Sequence, residues 1–131
     1  MPRQIYTVLM FEGKAEEAMR FYVSLFNGSI INAIEKYGVG EMGAEGSVKK
    51  ASFTLGGHEV ACLDSPTKQA FTFTPSTSLF VQCEDEAEID RTFAALSEGG
   101  MVMMPLNSYG FSTKFAWLND RFGVSWQLNL G

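Results

Sequence analysis

Apolar and polar positions alternate along this chain in two rhythms, and their order is played through twice. Residues 4–11, QIYTVLMF, form an apolar run of β-forming residues. In KAEEAMRFYVSLFNG, which follows, Ala15, Ala18, Tyr22 and Phe26 recur at helical spacing with Met19 and Leu25 beside them. Glu16 and Glu17 suit the positive end of a helix dipole, and Asn27-Gly28 supplies a stop. SIINAIEKYG, SVKKASFTLGG and HEVACLD predict three strands, with Gly56-Gly57 as the hairpin turn between the last two. The segment Ser65 to Ser76 carries Pro66 and Pro75 and reads as a linker. Beyond it TSLFVQCED predicts a strand and EAEIDRTFAALSEGG a helix with Ile89, Phe93 and Leu96 on one face. Asp85 and Glu88 have the spacing of a capping box, and Gly99-Gly100 ends the helix. MVMMPL, FSTKFAWLND and VSWQLNL complete three more strands.

The restart is an internal repeat. A shift of 71 residues lays Thr7-Val8-Leu9-Met10 on Ser78-Leu79-Phe80-Val81, Tyr22 on Phe93, Leu25 on Leu96 and Gly28 on Gly99. Each half is strand–helix–strand–strand–strand. The expected fold is therefore α+β: two βαβββ modules, about 1–64 and 77–131, joined by linker 65–76 into one domain. Modules of this kind curl their strands into a cupped mixed sheet with helices outside.

Composition narrows the classes. The 131 residues are 46% hydrophobic and 19% charged, which fits a globular chain rather than a disordered one. No apolar run reaches the length of a membrane span, and MPRQIYTVLMF lacks the apolar region and cleavage site of a signal peptide. The expectation is a cytoplasmic protein that does not engage membranes. The net charge is −5 and the basic residues are scattered, with only Lys49-Lys50 adjacent, so no basic stripe is available for nucleic acid. Cys62 and Cys83 lie in apolar strand-like runs without a Cys-x-x-Cys, and read as buried free thiols.

Gly38-Val39-Gly40-Glu41-Met42-Gly43 satisfies G-x-G-x-x-G literally. That motif needs a helix after it to meet a pyrophosphate, whereas a strand pattern follows here, and Glu41 and Glu45 would repel phosphate. It reads as a flexible loop between strands. His58 is the single histidine, so no histidine-rich metal site can form within one chain. A solvated turn residue is the simpler role, and general base the sharper one. Asp120 and Gly123 fit a tight turn, Asp by accepting backbone hydrogen bonds and Gly by adopting positive φ. In the last strand Ser125, Gln127 and Asn129 alternate with Val124, Trp126, Leu128 and Leu130. Trp126 belongs with the apolar, core-facing set and Gln127 with the polar set. Trp117 joins the core or the polar face according to a hairpin register that sequence leaves open, with core packing slightly favoured.

The chain resembles the vicinal oxygen chelate superfamily, which includes glyoxalase I, extradiol dioxygenases and bleomycin-resistance proteins. The resemblance is carried by Phe21-Tyr22, by the doubled module and by Asp120-x-x-Gly123-x-x-x-Gln127. Across VLMFEGKAEEAMRFYVSLF, EKYGVGEMGAEGSVKKASFTLGG, SLFVQCEDEAEIDRTFAALSEGG and FAWLNDRFGVSWQL it is similar to the PhnB-like branch, often labelled 3-demethylubiquinone-9 3-methyltransferase. No Gly-rich strand-to-helix loop of the kind that holds S-adenosylmethionine accompanies that label. The resemblance implies the glyoxalase/bleomycin-resistance fold and a homodimer. It also implies metal-ligand positions on the first, fourth, fifth and eighth strands, which fall on Thr7, within Ala61 to Asp64, on Ser78 and on Gln127. Hydroxyls and an amide are poor ligands for a divalent transition metal, so no metal or other cofactor is expected.

The leading functional expectation is a metal-free cup lined by Thr7, Ser78, Trp117 and Gln127 that binds a small molecule. The alternative is a metal-dependent lyase, isomerase or dioxygenase, which keeps a divalent metal in play through Glu59, Asp64, Cys62 or His58. A third expectation is a metal-free enzyme with His58 or Asp64 as base.

Overall fold

The computed structural model describes residues 3–131. The elements run β1 (Thr7–Phe11), α1 (Ala15–Leu25), β2 (Ile30–Lys36), β3 (Val48–Leu55), β4 (His58–Asp64), β5 (Ser78–Gln82), α2 (Glu86–Ser97), β6 (Met101–Asn107), β7 (Lys114–Asn119) and β8 (Ser125–Leu130). They fall into two compact units, one ending at Ala70 and the other running Phe71–Gly131. Each unit holds one helix and a four-stranded mixed sheet, in the orders β1-β4-β3-β2 and β5-β8-β7-β6. In both, the first strand pairs parallel with the last and the other neighbours are antiparallel. The α+β prediction of two βαβββ modules holds. No helix among the described residues is long and apolar enough to cross a membrane.

In the first unit, strand alternation turns Leu9, Phe11, Ala51, Phe53, Val60 and Cys62 to one buried face. Ala15, Ala18, Met19 and Tyr22 of α1 are fully buried in the same core. Burying a side chain the size of Met19 contributes on the order of 2 kcal/mol, and an alanine methyl less than half of that. The start of α1 has no local cap, since Lys14 at the N-cap makes no side-chain bond there. Asp64 supplies it from the far end of β4. Its Oδ1 accepts from Gly13 N at 2.8 Å and Ala15 N at 2.9 Å, and its Oδ2 accepts from Val48 N at 2.9 Å. A carboxylate there also suits the helix dipole.

The Gly-rich segment lies between β2 and β3, with no helix after it. It is tied down rather than loose. Tyr37 N donates to Ser47 O at 2.9 Å, Glu41 Oε1 accepts from Gly38 N at 2.7 Å, and Glu41 Oε2 meets Lys49 Nζ at 2.8 Å. A side chain at Gly43 would meet the Tyr37 ring at 2.3 Å, so glycine is required there for close approach.

In the second unit Ala116, Leu118, Trp126 and Leu128 form the buried sheet face. The α2 capping box is present: Asp85 Oδ1 accepts from Glu88 N at 2.8 Å, and Glu88 reaches back to Glu84 N at 2.8 Å. The helix is rotated slightly from expectation. Thr92, not Phe93, is fully buried beside Ile89 and Leu96, while Phe93 is half-buried. Among the described residues the buried Thr92 Oγ1 has no hydrogen-bond partner. Thr92→Val keeps the shape and removes the unsatisfied hydroxyl. It is expected to stabilise the fold by about 1 kcal/mol, read as a higher urea midpoint at unchanged slope.

The repeat is not a uniform shift. Thr7 shares a face with Leu9 and Phe11, which is the buried face of its sheet. Ser78 shares a face with Phe80 and Gln82, opposite Leu79 and Val81, which pair with the buried Trp126 and Leu128. An offset of 71 therefore aligns strand positions that point to opposite sides. The buried Phe11 and Cys83 mark the cause. Three residues separate Phe11 from α1 but two separate Cys83 from α2, and with a side-chain period of two that one residue inverts the strand.

Candidate functional site

The second sheet presents a face turned away from its buried core. Registration across β5, β8, β7 and β6 arranges it in three rows: Ser78–Ser125–Asn119–Met101, Phe80–Gln127–Trp117–Met104, and Gln82–Asn129–Phe115–Asn107. None of these residues is charged. The β-bulge in β6 between Val102 and Met104 brings Met101 and Met104 to the same side.

The polar groups are paired along the sheet. Gln127 Nε2 donates to Ser78 Oγ at 2.9 Å. Trp117 Nε1 donates to Ser125 Oγ at 2.9 Å. Asn129 Nδ2 donates to Gln82 Oε1 at 2.9 Å. Asn119 Oδ1 is buried and has no hydrogen-bond partner among the described residues. Around these groups the face is aromatic and soft. Phe80 is 57% exposed. Beyond Phe115, the loop between β6 and β7 adds Tyr109 and Phe111, with ring centroids 5.0 to 6.2 Å apart within the cluster.

Three of the sequence candidates thus come together. Ser78 and Gln127 are bonded, and Trp117 lies directly opposite Gln127 in the register. The core role favoured for Trp117 gives way, because Leu118 rather than Trp117 faces inward. Ser125 was already on the polar set of the last strand, while Phe80, Asn119 and Met104 were missed. Once Ser78 is assigned to the polar face, alternation alone selects Phe80.

The remaining candidates are elsewhere. Half-buried Thr7 and exposed His58 meet, Oγ1 to Nε2 at 3.2 Å, on the side of the first sheet that carries Val60 and Cys62. Asp64 sits six residues along β4 from His58, about 20 Å in a strand. Its carboxylate is buried and bonded to three backbone N–H groups, which assigns it to holding the helix start. Cys62 is buried, its Sγ is 3.9 Å from Ala15 O, and burial raises its thiol to about 12. Burial likewise raises Cys83 to about 11, so both thiols stay protonated at neutral pH. Glu59 points to the opposite side of β4 from His58, Cys62 and Asp64. Among the described residues no three His, Cys, Asp or Glu side chains gather into a group that could hold a metal ion. At the positions the resemblance implies, Thr7, Ser78 and Gln127 offer hydroxyls and an amide, a donor set that suits a divalent transition metal poorly.

Comparison with known proteins places the chain. The model of the family described as 3-demethylubiquinone-9 3-methyltransferase matches residues 3–129. The chain is 56% identical to a PhnB protein from Bacillus cereus whose structure carries the same methyltransferase label. That match has a TM-score of 0.96 and covers 98% of this chain and 100% of that one. Protein PA1353 from Pseudomonas aeruginosa is 29% identical with a TM-score of 0.86, covering 98% of each chain. The fosfomycin resistance protein FosX from Mesorhizobium loti is 14% identical, covers 100% of this chain and 93% of its own, and has a TM-score of 0.64. At that identity it speaks for the shared glyoxalase/bleomycin-resistance fold alone. No curated protein matches the chain. The chain belongs to the family described as 3-demethylubiquinone-9 3-methyltransferase, and is similar throughout to its PhnB protein from Bacillus cereus.

Proposed function

We propose that the helix-free face of the second sheet binds a small uncharged molecule by hydrogen bonds and aromatic packing, without a conventional metal site. The observation that carries this reading is the uncharged three-row face centred on the Gln127–Ser78 pair. Fixed dipoles beside exposed rings suit a ligand that is itself polar at one edge and apolar elsewhere. Thr7 is left out of the proposed site, since it faces the other way in its own sheet. The homodimer and the cytoplasmic location implied earlier belong to the same reading, and light scattering of the purified chain tests the first.

Methyl transfer, named in the family description, finds little support in these residues. The Gly-rich segment at 38–43 leads into a strand, and the three rows of the proposed face carry no titratable group to take up a proton.

Elemental analysis after dialysis against zinc, nickel, manganese and iron tests the metal-free reading. The wild type is expected to retain far less than one equivalent of any of them. Gln127→Glu is expected to retain no more, because its one carboxylate would stand among Ser78, Phe80 and Trp117 where a zinc-type site needs three or four ligands. Stoichiometric metal in the wild type that disappears in Gln127→Ala would overturn the reading.

A further inference from the structure

We infer that the ligand of this face is a planar lactam-type heterocycle, an uncharged flat ring system carrying N–H beside C=O, inserted edge-on over Gln127 between Phe80 and Trp117. This rests on the binding reading above and narrows it to a ligand class.

Phe80, Gln127 and Trp117 are consecutive neighbours across three adjacent strands. Strands lie 4.7–4.9 Å apart, so the Cα atoms of Phe80 and Trp117 stand about 10 Å apart with that of Gln127 midway, the indole leaning toward Ser125 on β8 and the amide toward Ser78 on β5. Aromatic rings in contact have centroids 4.5–7 Å apart. A flat ring standing over Gln127 has the Phe80 ring on one side and the Trp117 indole on the other, and can meet both. A saturated ring of the same width gains less from two π faces.

The walls are prepared to different degrees. The Trp117 indole N–H is spent on Ser125 Oγ at 2.9 Å, which fixes the ring plane before any ligand arrives. Phe80 is 57% exposed and can turn to close on the ligand. Met104, next in the row beyond Trp117, is a flexible side chain that fills irregular space at the ligand's end.

The floor selects the polar edge. A carboxamide has two N–H donors and one carbonyl. Ser78 occupies one donor of Gln127, leaving one N–H and the carbonyl for the ligand. Turning the amide end for end changes which group meets the Ser78 hydroxyl but still leaves a donor and an acceptor outward. The complement of that edge is an acceptor beside a donor, as in a lactam. The three rows offer no charge to an ionised ligand, which would lose hydration without gaining a partner.

The test is a titration of the full chain with quinolin-2(1H)-one, its N-methyl derivative and naphthalene, followed by NMR at the indole N–H signals. Trp117 reports the face, and Trp126, buried against the core, reports the fold. Quinolin-2(1H)-one is expected to move the Trp117 signal and to bind about tenfold more tightly than the other two. Gln127→Leu is expected to erase that ratio while naphthalene binding persists. Gln127→Met replaces it if the Trp126 signal shows that the Leu variant has lost the fold. Phe80→Ala is expected to weaken all three compounds. Equal affinity for quinolin-2(1H)-one and its N-methyl derivative overturns the lactam edge and leaves the binding reading standing. A Trp117 response to cyclohexanone or valerolactone but to none of the flat probes overturns the aromatic class and again leaves binding standing. No response to any of these compounds overturns both.

Discussion

Asp120→Ala is expected to destabilise the second unit by about 3 kcal/mol, lowering the thermal midpoint by about 10 °C. Asp120 is buried and its carboxylate organises the whole turn between β7 and β8. Oδ1 accepts from Phe122 N at 2.8 Å and Val124 N at 3.0 Å, while Oδ2 accepts from Trp126 Nε1 at 2.9 Å. Gly123, at φ +94, lets the chain reverse so that Val124 returns to β8. Alanine would leave three donors without their acceptor. The two backbone groups can be partly rehydrated at the turn, but the indole N–H lies in the core and cannot. That asymmetry separates the terms. Trp126→Phe in the Asp120→Ala background should cost less than in the wild type, since the orphaned indole donor is gone. A thermal midpoint unchanged by Asp120→Ala would show that the turn is held by other contacts. The consequence reaches the proposed site, because Ser125 and Gln127 follow this turn directly and take their positions from it.

Much of this was legible in the chain. The turn at Asp120 and Gly123 could be read because both partners of its chemistry lie within a few residues. The same is true of Gly56-Gly57, with φ of +53 and +89, and of the Asp85–Glu88 capping box. The last-strand faces were also readable, because alternation over Ser125 to Leu130 needs no knowledge of the neighbouring strands. What failed was whatever depended on register. Trp117 could not be assigned until its pairing with Gln127 was seen. Thr7 was set beside Ser78 by a helix-level offset, and the one-residue difference in the strand-to-helix loop reversed its side. Thr92 and Phe93 are adjacent on α2, and a small rotation decided between them. Ser78, Trp117 and Gln127 could be named from the sequence, but the three rows they belong to could not, because the rows are assembled from four strands that are contiguous only in the sheet.

Asp64 shows how such distance misleads a functional reading, and it yields the second large effect. In sequence it is an acidic residue at the end of an apolar strand, and a candidate base. In the fold it is the missing N-terminal cap of α1, supplied from 49 residues away. Asp64→Asn distinguishes these roles. In a catalytic base that change removes the proton acceptor and spares the fold. Here Oδ1 accepts from Gly13 N and Ala15 N, and Oδ2 accepts from Val48 N. The asparagine oxygen can serve one side, but its NH2 must then face a backbone N–H on the other. Donor against donor at a buried site, with the charge that favours the helix start also lost, is expected to cost about 2–3 kcal/mol. Asp64→Ala should cost more, about 3–4 kcal/mol, because all three donors lose their acceptor. The measurement is the urea midpoint of each variant, together with hydrogen exchange at the Ala15 and Val48 amides. Both amides should lose protection even where the sheet stays protected, because the bonds broken are theirs. An Asn variant with an unchanged midpoint and both amides still protected would mean that the carboxylate is dispensable to the fold. Asp64 would then return as a candidate base. Loss of protection at those two amides would leave Asp64 holding α1 and β3 together, and functional interest would stay with the uncharged face around Gln127.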